Sequence, residues 1–136
     1  APAAGIATLA EPLHDRATMF DPNAVKVVTD AQCLALYFSR APIPWHREQF
    51  GASGTGIPQP GRVWRHVGIY AYRVDFLHRF VGWSAGVLES LEMLEQLRAL
   101  ENGVAIHVAP ACENIPAGVD TEEDLQRVQR VLEAGQ

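Results

Sequence analysis

The chain has 136 residues, of which 48% are hydrophobic and 20% charged, and its formal net charge is −5. This length and composition predict one globular domain with a core of its own. The negative charge argues against a surface that binds nucleic acid nonspecifically. No apolar run approaches the roughly 20 residues of a membrane span, and the N-terminal segment lacks the basic region of a secretory signal.

The first predicted element is an apolar strand at residues 6–10, which follows an alanine-rich segment. Such a strand needs neighbouring strands, and nothing before it in the sequence supplies them. We therefore expect the chain to be a piece of a larger protein. Cys33 and Cys112 match no metal-binding or redox spacing, and we expect two buried thiols rather than a disulfide.

Four further strands are predicted by β-branched and alternating apolar residues, at residues 23–30, 33–38, 67–72 and 104–109. A turn joins the first two as a hairpin. The prolines within residues 41–44 favour an extended path. Residues 47–62 hold four glycines and two prolines, which predicts a mobile loop.

Helices are predicted at residues 74–80, 88–100 and 121–132. In the second helix, a rotation of ~100° per residue places Glu95 on the same stripe as Leu88 and Leu91. Burying an unpaired carboxylate is costly, so Glu95 should meet hydrogen-bond donors. It could form a structural ion pair or lie at the solvent-exposed end of the stripe. Alternatively, it could point into a polar pocket.

Three polar side chains stand on or just after predicted strands. Arg40 could bind a carboxylate or phosphate through its planar guanidinium, or it could simply be solvated. His66 and Tyr70 are four residues apart and share a face of a strand, with Gly68 leaving space between them. They could build a surface for a polyol, or be a core tyrosine beside an incidental histidine. The other histidines form no zinc motif, and no nucleotide-binding glycine motif is present.

Asp120 stands in the segment GVDTEEDL, where an extended chain becomes helical. It could cap the helix or hold a metal ion. Thr121 and Asp124 have the spacing of a capping box, and if Thr121 is the cap, the helix does not need Asp120. The Asp120 carboxylate would then be free at the carboxyl edge of a strand, where open α/β sheets place their ligands.

Five motifs follow one another along the chain: DPNAVKVV, ALYFSRAPIPW, RHVGIYAYR, LEMLEQLRALENG and GVDTEEDL. Together and in this order they resemble the C-terminal part of the 3-deoxy-manno-octulosonate cytidylyltransferases, or CMP-Kdo synthetases. The resemblance runs from about residue 5 to residue 132. It implies an α/β nucleotidyltransferase (Rossmann-like) fold, here a C-terminal portion with a mixed sheet and flanking helices. It also implies a cytoplasmic homodimer that makes CMP-Kdo and pyrophosphate from CTP and the sugar acid Kdo, with magnesium, for lipopolysaccharide synthesis.

The resemblance also implies roles for single residues. The positions that would face Kdo are Arg40, His66, Tyr70, Glu95 and Gln96. Asp120 would bind Mg²⁺, which takes oxygen ligands and can activate an attacking hydroxyl. No catalytic residue is separable from these binding residues.

Two parts of the family pattern are missing from the sequence: the N-terminal loop that holds the nucleotide phosphates, and a central acidic motif that supplies a second magnesium ligand. The segment at residues 83–87 also differs from the proline-containing approach expected before the long helix. We therefore expect residues 1–136 to be the sugar-binding and dimerisation part, inactive alone. The alternatives are an enzyme for another acidic sugar and a noncatalytic association module.

Overall fold

A computed structural model describes residues 4–51, 63–116 and 118–135. The described residues form five strands and five helices. In chain order these are β1 (Ile6–Pro12), α1 (Arg16–Phe20), β2 (Lys26–Thr29), β3 (Ala35–Ser39), β4 (Trp64–Tyr72), α2 (Val74–Phe80), α3 (Val87–Glu92), α4 (Leu97–Glu101), β5 (Ile106–Pro110) and α5 (Glu122–Ala134). Most of the loop predicted at residues 47–62 lies outside the described residues.

The strands form one mixed sheet in the order β3-β2-β4-β1-β5. β5 runs parallel to β1, and the other neighbouring pairs are antiparallel. The predicted hairpin of β2 and β3 is confirmed, as is the mixed sheet with flanking helices. The two outer strands also approach each other, because Leu34 forms an isolated bridge with His107. In the sheet order, β1 is an interior strand, with β4 on one side and β5 on the other.

The main core lies between the sheet and helices α2 and α4. It is built from aliphatic and aromatic side chains of both layers, namely Ile6, Ala10, Val27, Ala35, Phe38, Phe76, Leu94, Leu97, Ala99, Ile106 and Val108. A smaller cluster of Leu13, Met19, Phe50 and Val63 holds α1 in place. Helix α1 is absent from the sequence prediction, although Asp15 caps it by accepting a hydrogen bond from the Thr18 backbone N–H at 2.7 Å.

A β-bulge interrupts the pairing of β1 with β4. Thr8 pairs with Tyr70 and Leu9 pairs with Val67, so Gly68 and Ile69 have no partners on β1. The Thr8 hydroxyl lies at hydrogen-bond distance from the carbonyl oxygens of Val67 (3.2 Å) and Ile69 (2.8 Å). Bulges re-aim side chains and are common beside functional sites.

The single helix predicted at residues 88–100 is wrong. Helix α3 ends at Glu92, Met93 takes a left-handed conformation with φ of 54°, and α4 begins at Leu97. Leu88 and Leu91 are exposed rather than aligned on a buried stripe. The placement of Glu95 on one stripe with Leu88 and Leu91 is therefore wrong, because it requires one uninterrupted helix.

Tertiary contacts explain the break. Glu101 of α4 accepts hydrogen bonds from the backbone N–H groups of Leu88 (3.0 Å) and Glu89 (3.3 Å), at the start of α3. Arg98 of α4 forms an ion pair of 2.6 Å with Glu89. A straight helix cannot bring its last turn back to its first. The fold-back thus satisfies helix-start donors that would otherwise lack partners.

Several smaller expectations have clear outcomes. The final helix and its capping box are confirmed. Helix α4 ends at the C-cap Asn102, which is followed by the left-handed Gly103. Cys33 and Cys112 are free thiols, but the expectation that they are buried is wrong, because both are exposed. Within the described ranges, no helix has both the length and the apolarity needed to cross a bilayer.

Candidate functional site

A cleft of about 1390 Å³ lies beyond the carboxyl ends of the parallel strands β1 and β5. Glu11 of β1, Arg65 and His66 of β4, and the segment after β5 line it, together with the start of α5. Among the predicted site residues, the cleft brings together His66 and Asp120. Ligands of open α/β sheets occupy this kind of position.

His66 is buried and neutral at physiological pH. Its Nε2 lies 2.9 Å from the Thr8 hydroxyl oxygen. The Thr8 hydroxyl has one hydrogen and faces the two bulge carbonyls, so it accepts from His66, whose Nε2 carries the proton. Burial, with a smaller effect of Arg65, lowers the pKa of His66 to about 4. The His66 ring therefore offers an unprotonated Nδ1, which can accept a hydrogen bond.

Tyr70 lies beside His66, as the strand spacing predicts. Their ring centroids are 5.4 Å apart. Gly68 leaves open space, because a Cβ added there would meet no heavy atom within 4 Å. Burial raises the pKa of the Tyr70 hydroxyl far above its ordinary value, and the nearby Tyr72 and Glu95 raise it further. The Tyr70 hydroxyl thus stays protonated and can donate a hydrogen bond.

Glu95 is exposed, in the break between α3 and α4. It lines a second depression of about 470 Å³, together with Tyr72, Phe80 and Arg98. The expectation that Glu95 meets donors fails for the described part of the chain, where its carboxylate accepts no hydrogen bond. Its negative charge still acts on the neighbouring tyrosines, since it contributes to the raised pKa of Tyr72, behind burial.

Gln96, the neighbour of Glu95, is buried at the start of α4. Its backbone carbonyl accepts a hydrogen bond from Ala99 at 3.2 Å.

A different carboxylate on the same segment meets the donors. Glu92, the last residue of α3, accepts hydrogen bonds from the Ser39 hydroxyl at 2.6 Å and the Tyr37 hydroxyl at 3.3 Å. It also accepts one from the Arg40 backbone N–H at 2.9 Å. Burial alone would raise the pKa of Glu92, but the hydrogen bonds from Ser39 and Arg40 lower it below its ordinary value. Glu92 was not predicted as a site residue, although a carboxylate on a helix beside buried residues needs hydrogen-bond donors just as Glu95 was expected to.

Arg40 lies directly after β3, as predicted, and its guanidinium binds backbone carbonyl oxygens at the end of α3. Its Nε donates to the Glu92 carbonyl at 2.7 Å, and one terminal nitrogen donates to the Met93 carbonyl at 3.4 Å. The other terminal nitrogen donates to the Pro22 carbonyl at 2.9 Å. A cation at the carboxyl end of a helix interacts favourably with the helix dipole.

Two charged residues of the cleft wall were not predicted as site residues. Arg65 forms an ion pair with Glu11 and donates to the Ile115 carbonyl at 3.0 Å. Glu11 in turn accepts from the Ile115 backbone N–H at 3.2 Å. The pair therefore fastens the segment that follows β5 to the sheet. The sequence offered one signal for Arg65 as a site residue, because it is the direct neighbour of His66.

Asp120 lies in the cleft, and its side chain does not cap the helix. Thr121 does so, since its hydroxyl accepts from the Asp124 N–H at 3.2 Å and its own N–H donates to Asp124 at 3.1 Å. Among the residues described between β5 and α5, none forms the strand expected just before Asp120, and β5 ends at Pro110. Among the described residues, no three metal-ligating side chains converge. Asp120 thus offers one carboxylate, which suits an ion that keeps several waters.

The predicted site residues do not all line one cavity among the described residues. His66 and Tyr70 are in contact, His66 shares the cleft with Asp120, and Glu95 acts electrostatically on Tyr70. Arg40 is anchored at the junction of β3 with α3.

A cytidylyltransferase family model matches residues 1–107 of the chain. The chain belongs to the cytidylyltransferase family. Curated relatives of this cytidylyltransferase chain share the name 3-deoxy-manno-octulosonate cytidylyltransferase. The protein of Hahella chejuensis is 58% identical over 96% of the chain, that of Pseudomonas syringae pv. tomato 59% over 98%, and that of Alcanivorax borkumensis 57% over 93%.

A solved structure confirms the fold of this cytidylyltransferase chain. It is a CMP:2-keto-3-deoxy-manno-octonic acid synthetase in complex with CTP. The TM-score is 0.80 at 36% identity, and the match covers 99% of the chain. The chain spans about half the length of the relatives it matches, 50% to 52% of each.

Proposed function

We propose that these 136 residues belong to an enzyme that transfers the cytidylyl group of CTP to Kdo. The products are CMP-Kdo and pyrophosphate, and the reaction serves lipopolysaccharide synthesis in the bacterial cytoplasm. The observation that carries the proposal is the identity of 57% to 59%, over nearly the whole chain, with relatives that bear this name. The CTP complex of the similar solved structure supports CTP as the nucleotide.

Within that enzyme, residues 1–136 form the sugar-binding and dimerisation part. The chemistry of the site residues suits Kdo, which carries one carboxylate and several hydroxyl groups. The Arg40 guanidinium would bind the carboxylate. A neutral His66 would accept from a sugar hydroxyl through Nδ1, and the protonated Tyr70 would donate to another. Glu95 is exposed and accepts no hydrogen bond from the described residues, so its carboxylate would be free to contact the sugar. Gln96, which is buried beside it, would complete the sugar contacts.

The attacking sugar hydroxyl must lie in line with the α-phosphate of CTP, and the binding residues serve to hold it there. Asp120 would hold Mg²⁺ together with substrate phosphates, because one carboxylate alone binds this ion weakly. When bound, the ion would lower the pKa of the attacking hydroxyl and offset phosphate charge. Asp120 fits this role, since Thr121 leaves its carboxylate free of capping.

A homodimer is part of the proposal. Large apolar side chains are exposed on or directly after α2, on α3 and on the outer strand β3, among them Leu36, Val74, Val81, Val87 and Leu91. Exposed apolar patches of this kind mark surfaces that bind other protein surfaces.

The test uses the full-length protein that contains these residues. Pyrophosphate release is measured with CTP and Kdo, and in parallel with other acidic sugars at equal concentration. We expect release with Kdo to exceed release with every other sugar. Faster release with another acidic sugar would assign a different substrate, and absence of both release and binding of CTP or Kdo would favour an association module.

A further inference from the structure

The backbone of Arg40 is held from both sides by charged residues of other elements. On one side, its N–H donates to the Glu92 carboxylate at 2.9 Å. On the other side, its carbonyl accepts from the Lys26 ammonium at 2.6 Å. Lys26 is fully buried and also donates to the carbonyls of Asp21 and Ala24. A buried ammonium with three carbonyl acceptors fixes the chain firmly, because each lost bond would leave a buried polar group unpaired.

The guanidinium of Arg40 is oriented by neutral groups. Its three hydrogen bonds go to backbone carbonyls of Glu92, Met93 and Pro22. A guanidinium has five N–H donors. Within the described part of the chain, one N–H therefore stays available on each terminal nitrogen. These two N–H groups can donate to the two oxygens of a carboxylate.

Glu92 joins these two features. Its carboxylate receives the backbone N–H of Arg40 and the hydroxyls of Ser39 and Tyr37, so it fixes the end of β3. Its backbone carbonyl receives the Arg40 Nε, so it also fixes the direction of the side chain. The left-handed turn at Met93 presents the next carbonyl to the same guanidinium.

We propose that Glu92 is a positioning residue, which holds Arg40 so that its guanidinium meets the carboxylate of the sugar acid. This inference rests on the proposed function. Glu92 does not touch the substrate; it acts through Arg40. A charged carboxylate suits the task, because hydrogen bonds to an ionised acceptor are about twice as strong as neutral ones.

The experiment compares Glu92→Gln with wild type in the full-length protein, by steady-state pyrophosphate release. Glutamine keeps the shape of the side chain but loses its charge and one acceptor oxygen. We expect the KM for Kdo to rise by about tenfold, which corresponds to the loss of one charge-assisted hydrogen bond. We expect the KM for CTP to stay within about twofold, since Arg40 is assigned to the sugar.

Glu89→Gln is the matched control. Glu89 lies on the same helix and forms an ion pair with Arg98, but it has no contact with Arg40. If loosening α3 were enough to weaken sugar binding, both variants would raise the KM for Kdo equally. That result would overturn the proposal.

A double-mutant cycle separates positioning from general structure. If Glu92 acts through Arg40, Glu92→Gln should change the KM for Kdo by less than about twofold in an Arg40→Lys background. Independent, multiplicative effects would overturn the proposal. If Glu92→Gln does not fold, Ser39→Ala decides, because it removes the 2.6 Å bond to Glu92 and leaves the charges intact. It should raise the KM for Kdo by about threefold, and no change would overturn the proposal.

The same assay separates the two proposals. A wild-type protein that neither binds nor uses Kdo sinks the proposed function, and this inference with it. A wild-type protein that uses Kdo, with an unchanged KM in Glu92→Gln, sinks the inference alone.

Discussion

The Nε2 atom of His66 donates a hydrogen bond to the Thr8 hydroxyl oxygen, at 2.9 Å, across the bulge between β4 and β1. The two residues are 58 positions apart in the chain. Thr8 reads as an ordinary strand residue in the sequence, and no motif links it to a histidine. This contact fixes the tautomer of His66, while burial keeps its ring neutral.

The pH dependence of stability follows from His66. Its pKa is about 4 in the folded state and 6.5 as the ordinary value. Between these two values the unfolded chain binds the proton and the folded chain does not. Stability contributed by neutral His66 is therefore complete above pH 6.5 and is lost as the pH falls toward 4.

The measurement is denaturant unfolding of wild type and His66→Gln at pH 7 and pH 5. The free energy of unfolding of wild type minus that of His66→Gln should be about 2 kcal/mol smaller at pH 5 than at pH 7. Other titrating groups cancel in this comparison. An equal difference at both pH values would contradict the burial of a neutral histidine.

Asp120 and Thr121 should separate metal binding from capping. In the full-length protein, Asp120→Asn should sharply reduce magnesium-dependent turnover and leave the melting temperature nearly unchanged. Thr121→Ala should lower the melting temperature and leave turnover nearly unchanged, because loss of an N-cap costs about 1 kcal/mol of stability. Turnover as a function of Mg²⁺ concentration and thermal melting measure the two effects. Asp120→Asn with a normal rate and a melting point several degrees lower would assign Asp120 to structure.

Glu95→Gln should affect the sugar without affecting the fold. Glu95 is exposed and accepts no hydrogen bond from the described residues, so we expect a stability change within about 0.5 kcal/mol. Turnover with Kdo should fall, while CTP affinity stays nearly unchanged. Calorimetric titration with each substrate makes the comparison. Equal weakening of CTP and Kdo binding would refute the assignment of Glu95 to the sugar side.

Met93→Gly should stabilise the protein. Met93 has a φ of 54° and an exposed side chain, so little packing is lost when the side chain is removed. A left-handed conformation costs a residue with a side chain roughly 1 kcal/mol more than glycine. We expect a gain of about 0.5–1 kcal/mol in the free energy of unfolding. Leu91→Gly, inside α3 and equally exposed, should instead lose about 1 kcal/mol.

The 136-residue chain should associate in isolation. Its exposed apolar side chains on α2 and α3 form surface that water solvates poorly. Light scattering at micromolar concentration should report a dimer or a larger species. A clean monomer would contradict this expectation.

The sequence by itself determined most of the secondary structure. Apolar runs, β-branched residues and alternation located all five strands, because these patterns suit a pleated, buried or half-buried surface. Local chemistry also located the last helix, since Thr121 and Asp124 form their capping box within a single turn. The ordered motifs of the chain were enough to predict its family and its fold.

Tertiary structure decided the break between α3 and α4. It also decided which carboxylate of this segment meets hydrogen-bond donors. The period of residues 88–100 favoured one helix with Glu95 on its stripe, yet Glu101 and Arg98 satisfy the start of α3 only if the chain folds back. The same fold-back turns Glu95 toward solvent and Glu92 toward β3. Likewise, the tautomer of His66 depends on Thr8, 58 residues away, and its neutral state depends on burial. Periodicity describes one element at a time, whereas burial and hydrogen-bond partners depend on contacts between elements.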